Sequence, residues 1–331
     1  MKEKKPIVVG TIAFDRIFSV QPSISKEAER GRIKKEITAN ETQFMNLGFV
    51  ASDVKTLKGG TAGNIAYTLG ILGKHPVMFS AVGDDFRTSG YEAFLRGNGV
   101  EIAVDCFTGQ VSACCYQISD EYDNQITIWQ SNAYDHVDEI GLNEHVKEAA
   151  KDTELAIFST GNPVGMLRHM DELRVLNPSA KIIFDPGPRV VSYDQEQLRK
   201  SLEMCDMLTV NETELQRISA FGFSEKELLE NHVEVIIETL GSKGSFIKTH
   251  SAKFRVGAVT PVRVRETTGA GDAFRAGLMV GLLEGKSIVE AARIGSVVAS
   301  YCIEDTGPQS HRITREDVKK RLQRVEASRI E

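Results

Sequence analysis

The chain has 331 residues, enough to bury a large core as one α/β domain or two smaller ones. Apolar residues make up 41% and charged residues 26%, with a formal net charge of −6, a balance that argues against a surface built for nucleic acid but leaves room for a local phosphate pocket. Five cysteines without metal-ligand spacing, no apolar run of 18 residues and no signal-peptide pattern predict a reduced, cytoplasmic protein with no membrane partner.

Short apolar runs alternate with amphipathic stretches of helix length, which predicts βα units and a doubly wound, mainly parallel sheet flanked by helices. In chain order the predicted strands cover residues 7–12, 77–82, 155–159, 181–184, 207–210 and 235–239. The predicted helices cover 61–72, 86–96, 165–176, 195–204, 213–220, 269–283, 288–303 and 315–325. Two stretches break the pattern, residues 15–57 and 107–130, and the second alternates over Val111 to Ile118 and Gln125 to Trp129 as half-exposed antiparallel strands do. The chain then divides into an α/β core of residues 1–14, 58–106 and 131–331 and a small β lid of 15–57 and 107–130, placed to exclude water or to pair with a second subunit. The alternative is that these strands only extend the main sheet.

The candidate chemistry collects where predicted strands end. Asp15 follows the first strand and suits two vicinal hydroxyl donors, or is an ordinary surface turn aspartate. Gly59-Gly60 opens the next helix, on which Asn64 can donate and accept toward sugar hydroxyls. Asn211 and Glu214 stand one helical turn apart, as oxygen ligands that orient water around a cation or as a plain N-cap with acidic first-turn residues. Thr239, Gly241 and Gly244 suit close contact with nucleotide phosphates, or form a hairpin turn before residues 245–249.

The most informative run is Thr268-Gly269-Ala270-Gly271-Asp272. Its glycines let the backbone approach a ligand, and the N–H groups of residues 269–272 at a helix N-terminus would form an anion hole. Asp272 in that hole is either a base that takes a proton from an attacking hydroxyl during phosphoryl transfer or a carboxylate that merely favours the helix end. Two other nucleotide signatures fail: Gly281 to Ser287 is one residue short of a P-loop and follows a helix, and no G-x-G-x-x-G opens a βα unit.

Gly59-Gly60 with Asn64, Asn211-x-x-Glu214 and Thr268 to Asp272, in that order, resemble the ribokinase-like (PfkB) carbohydrate kinases over nearly the whole chain. The resemblance implies a doubly wound core with a small β lid, ATP and Mg²⁺, and transfer to a primary hydroxyl. It implies Asp272 as base, the amides of Gly269, Ala270 and Gly271 as anion hole, Asn211 and Glu214 toward magnesium, Asp15, Gly60 and Asn64 as sugar contacts. Gly59 to Tyr67, Asp123 to Thr127 and Gly307 to His311 are similar to microbial adenosine and nucleoside kinases, which implies adenosine as acceptor at its 5′-hydroxyl. Glu266 stands where many members carry aspartate, so dependence on a monovalent cation stays open. Phe44, Phe158, Trp129 and Cys114 are candidates for a base pocket, while Arg16, Arg30, Arg32, Lys34 and Lys35 keep a sugar or sugar-phosphate kinase in play. A non-catalytic binding protein on the same fold is the rival from another class.

Overall fold

The apolar run Ile7–Gly10 (β1) is wholly buried, as a central strand covered on both faces must be. The computed structural model describes residues 4–21, 23, 24, 26, 48–122 and 125–330. Beside β1 lie Val77–Gly83 (β4) and Glu101–Phe107 (β5) on one side, and Leu155–Ser159 (β8), Lys181–Asp185 (β9), Met207–Asn211 (β10) and Val235–Thr239 (β11) on the other. All of these pair in parallel. Ser245–Thr249 (β12), Lys253–Val256 (β13) and Ala327–Ile330 (β14) then continue the sheet antiparallel, giving ten strands among the described residues.

Period-two alternation sorts the strand side chains between two cores. Val8, Ile157 and Ile183 join a cluster on one face, while Ile7, Val9, Phe158 and Phe184 join a cluster on the other. Helices cover both faces, so the polar C-terminal ends of β1, β8, β9 and β10 form one edge along which ligand-binding groups can gather.

A second sheet of four strands, separate from the first, is built from Val50–Gly59 (β3), Ala13–Gln21 (β2), Ala113–Ser119 (β6) and Gln125–Gln130 (β7) in that spatial order. The insertions therefore do not extend the main sheet. Both Asp15 and Gly59 lie within this sheet's strands, on the adjacent strands β2 and β3.

The structure corrects several expected boundaries. β1 ends at Gly10, and the helix expected over 86–96 is two, Asp85–Thr88 and Tyr91–Gly97, because Gly90 takes a left-handed φ of 74° that no helix continues through. The helices Leu142–Asp152 and Glu225–Asn231 and the strand β5 are additional to those expected.

One packing contact fixes the helix on which the chemistry depends. Ala270–Leu283 lies against Ile288–Cys302, and the two backbones meet so closely that a Cβ on Gly277 would stand 2.8 Å from Gly295 Cα, and one on Gly295 would stand 2.7 Å from Phe274 O. Neither obstacle is a side chain that can swing away, since both are backbone. We expect Gly295→Val to cost about 1–3 kcal/mol as the helices are forced apart. Thermal unfolding checks this, and an unchanged midpoint would remove the close approach as the feature that seats Ala270–Leu283.

Candidate active site

Ala270–Leu283 begins at Gly269, whose φ of 80° turns the chain into the helix; Pro308 packs where a side chain would otherwise stand. The N–H groups of Gly269, Gly271 and Asp272 find no acceptor among the described residues, whereas Ala270 N–H donates to Thr267 O at 3.2 Å. The anion hole read from the sequence is corrected at that position: the Thr267 to Ala270 turn closes on itself and uses one of the expected donors. Three donors remain at the positive end of the helix.

Asp272 sits in the first turn and is 7% exposed. Its Oδ2 accepts from Asn64 Nδ2 at 2.7 Å, and its Oδ1 lies 3.6 Å from Arg275 Nη1. Burial pushes its carboxyl up to about 6; Arg275 and the Asn64 amide work against that, and the carboxylates of Asp185 and Glu214 add to it. The structure thus brings Asp272 and Asn64 together, from helices far apart in sequence, and ties the amide expected to face sugar hydroxyls. Asn64 Oδ1 accepts from Gln309 Nε2 at 2.9 Å, so one N–H and one lone pair of Asn64 are left for a ligand.

Asp15 is buried within β2 and is no surface turn residue. Its carboxylate takes up the space a Gly59 side chain would fill, and it accepts no hydrogen bond from any described residue. Burial first, then the charges of Asp272 and Glu266, push it up to about 7. Gly60 caps the Thr61–Ile71 helix with φ of 84°, and Gly59 O accepts the Tyr91 hydroxyl at 2.7 Å. Gln309 Nε2 donates to that same hydroxyl. Asp15, Asp272, Asn64 and Gln309 therefore form one polar cluster with the Tyr91 hydroxyl.

On the other side of the helix mouth a cavity of about 540 Å³ is bounded by Thr239, Gly241, Gly244, Val259, Gly271 and Phe274. The loop of residues 240–244 is indeed a hairpin turn, since β11 and β12 pair antiparallel, and it also walls this cavity. Thr268 is not among the lining residues. The largely apolar wall, completed by Pro261, Ala299 and Ile303, lies in the 257–267 loop and on Ile288–Cys302 and carries no motif that sequence reading could use.

Asn211 and Glu214 form a capping box at the start of Glu212–Ala220: Asn211 Oδ1 accepts from Glu214 N–H and Glu214 Oε2 from Asn211 N–H, both at 2.9 Å. The N-cap alternative is realised, leaving Glu214 Oε1 without a hydrogen bond. Burial and the Asp185 charge raise the Glu214 carboxyl. Glu266 Oε2 accepts from Gly307 N–H at 2.9 Å, and its Oε1 is buried without a partner.

Sequence reading passed over Asp185, Arg275 and Ser159 and gave Gln309 no role beyond its place in the Gly307 to His311 resemblance. Ser159 and Asp185 end adjacent parallel strands β8 and β9, a placement that marks a ligand edge once the strands are known. Of the base-pocket candidates, Phe158 is fully buried in one core, Cys114 packs in the other, Trp129 is 62% exposed, and Phe44 lies outside the described residues. Arg16 lies over the Tyr116 ring, while residues 30–35 lie outside the described residues.

Comparison with known proteins agrees with this geometry. Residues 33–315 match the pfkB family carbohydrate kinase profile. The chain is 30% identical over 325 residues to a nucleoside kinase of Methanocaldococcus jannaschii, covering 98% of each. The crystal structure of that archaeal protein superposes with a TM-score of 0.82 at 28% identity, covering 98% of this chain and 99% of the other. A Burkholderia thailandensis nucleoside kinase in complex with inosine superposes with a TM-score of 0.81 at 28% identity over 96% and 97% of the two chains, and the same protein has been seen with ADP and inosine. A Thermotoga maritima ribokinase, 21% identical with a TM-score of 0.77 over 96% and 99%, shares the fold. No described helix is long and apolar enough to cross a membrane. With its profile match, its relatives and a buried aspartate at a helix mouth beside a cavity, the chain belongs to the pfkB family of carbohydrate kinases and is a phosphotransferase.

Proposed function

We propose that this protein is an ATP-dependent nucleoside kinase that transfers the γ-phosphoryl group to the ribose 5′-hydroxyl, with adenosine as preferred acceptor. The observation that carries the reading is the position of Asp272, beside three unpaired helix-mouth amides and in a polar cluster with Asp15 and Asn64. Similarity to nucleoside kinases over nearly the whole chain supports the nucleoside over a free sugar.

Asp15, with no hydrogen bond of its own, accepts the two vicinal ribose hydroxyls, and the free N–H of Asn64 adds a third contact. That leaves the 5′-hydroxyl toward Asp272 Oδ1, the oxygen not engaged by Asn64. Asp272 takes the hydroxyl proton as the 5′-oxygen bonds to the γ-phosphorus and the bond to the β-phosphate oxygen breaks, releasing ADP. The amides of Gly269, Gly271 and Asp272 stabilise charge on the transferring group. The apolar cavity beyond them has the size and walls for the donor's base, with Thr239, Gly241 and Gly244 against its phosphates. Glu214 is a buried carboxylate with a free oxygen, which fits a hydrated cation but supplies only one such oxygen, and no cluster of three metal-ligating side chains occurs among the described residues. Asn211 and Glu214 would hold Mg²⁺ through water, where it would neutralise phosphate charge. The second sheet, carrying Asp15, is the lid over the acceptor.

Asp272→Asn is expected to slow turnover by about 10²–10⁴-fold with nucleoside affinity nearly unchanged, measured by coupled ADP release and by calorimetric titration. A variant that keeps wild-type turnover would falsify the base assignment. Because the base and Asp15 must both be ionised, log kcat/KM, which reports the free enzyme, should rise with pH through about 6 to about 7 and level off above that; a profile that stays flat well below pH of about 6 would count against it. A panel of adenosine, inosine, ribose and fructose with ATP tests the acceptor class, the nucleosides being expected to lead in kcat/KM by at least about tenfold, or ~1.4 kcal/mol. Preference for a free sugar would overturn the nucleoside reading while leaving the phosphotransferase intact.

Asp15 supplies a stability test. Its folded carboxyl is held near 7, above the ordinary value of 3.8, so the native state binds the proton more tightly and stability is lost as pH rises from about 3.8 to about 7, levelling off above that. In the absence of nucleoside, Asp15→Asn should therefore melt several degrees higher than wild type about one pH unit above the folded value, exceed it by a smaller margin about two units below that value, and bind nucleoside far more weakly. Equal melting temperatures at both pH values would show that the buried charge carries no cost.

A further inference from the structure

A cation is disfavoured near a helix N-terminus and again by burial, yet Arg275 lies in the second turn of Ala270–Leu283 and is 7% exposed. Its Nη2 donates to Asp185 Oδ1 at 2.7 Å. Asp185 is fully buried at the end of β9, and its Oδ2 accepts from Ser159 Oγ at 2.7 Å. The guanidinium's other arm reaches Asp272 Oδ1 only to 3.6 Å, an ion pair without a hydrogen bond, and Nε has no partner. Gly271 leaves space for that arm: a Cβ there would stand 2.8 Å from Nη1.

The contrast between 2.7 and 3.6 Å has a chemical meaning. A guanidinium bonded directly to Oδ1 would occupy the lone pair that has to receive the substrate proton and would weaken the base. A guanidinium held about one ångström further back still stabilises the carboxylate, in a low dielectric, and leaves the lone pair open. We propose that Arg275 is a positioning residue, tethered by Asp185 and Ser159 so that it keeps Asp272 aimed and charged without capping the oxygen that reacts. On the other oxygen, Asn64 completes the clamp. The buried charges facing Asp272 are Asp15 from β2, Asp185 from β9 and Glu214 from Glu212–Ala220, with the Cys302 thiol nearby. Arg275 faces Asp272, Asp185 and Glu214, and Arg217 acts on Glu214 as well.

This inference rests on Asp272 as the base, and the experiment separates the two. Steady-state kinetics and thermal unfolding are compared for wild type, Asp272→Asn, Arg275→Met, Arg275→Lys, Asp185→Asn and Arg275→Met/Asp185→Asn, with adenosine and ATP. Arg275→Met and Asp185→Asn are each expected to turn over at least about tenfold more slowly, with both KM values staying within about threefold of wild type. Arg275→Lys, which keeps the charge but loses the fork, should recover part of the loss, and the double variant should be no slower than Arg275→Met because the tether has nothing left to hold. Should Arg275→Met fail to fold, Arg275→Lys and Asp185→Asn carry the same comparison. Wild-type turnover in Asp185→Asn or Arg275→Met, or losses confined to KM and melting temperature, overturns the proposal while an inactive Asp272→Asn leaves the base in place. An active Asp272→Asn overturns both.

Discussion

The bond from Asn64 to Asp272 spans 208 residues of sequence and joins the Thr61–Ile71 helix to Ala270–Leu283. It is short and buried, and it orients a carboxylate whose other oxygen stays free. Everything else about the site can be read as a condition for it. Gly277 and Gly295 let Ala270–Leu283 sit deep enough to bring Asp272 within reach, and Gly60 starts the helix that presents Asn64. Gln309 occupies Asn64 Oδ1, which forces the amide to turn its nitrogen toward the acid.

The same pocket concentrates negative charge. Asp15, Asp185, Glu214 and Asp272 interact across it, and burial raises three of them, so the carboxylates strain one another electrostatically. Such strain is tolerable where a ligand relieves it. Ribose hydroxyls donating to Asp15 would lower the cost of its charge, and a hydrated cation near Glu214 would do the same on the donor side. An acidic protein of net charge −6 can therefore attract an anion only through local devices such as the unpaired amides at the helix mouth.

The fold was readable because its signals are local. Buried parallel strands are short apolar runs, and β8 and β11 have the expected ends to the residue. The glycine turn before Asp272 and the one before Asn64 were equally plain, since a tight turn into a helix leaves its mark in adjacent letters. What escaped reading was determined by pairing across the chain. Nothing near Asp185 or Arg275 announces that the two meet, and Arg275 has the spacing of an ordinary helical cation until the helix is known to be buried on that side. The capping box of Asn211 and Glu214 and a cation-orienting pair share one spelling, and here the capping geometry does not exclude the other role because one Glu214 oxygen remains free. The break at Gly90 was legible in principle, but an isolated glycine inside an amphipathic pattern only weakens a helix on average; its φ decides.

The location of Asp15 gives the architecture its logic. It stands on β2, which pairs with β3 and β6 in the second sheet, whereas Asp272, Asn64 and Asp185 are mounted on the main domain. A ligand held by Asp15 is thus held by one sheet and activated from the other. Two carboxylates that repel each other face across the gap, and burial makes both reluctant to ionise. A hydroxyl-rich molecule between them changes the balance, because each donated O–H stabilises the anion that accepts it. Under the proposed roles of Asp15 and Asp272, binding and activation would be coupled through charge: the acceptor that satisfies Asp15 would be the same molecule whose remaining hydroxyl meets the base, and water, lacking the second set of donors, would gain nothing from the arrangement.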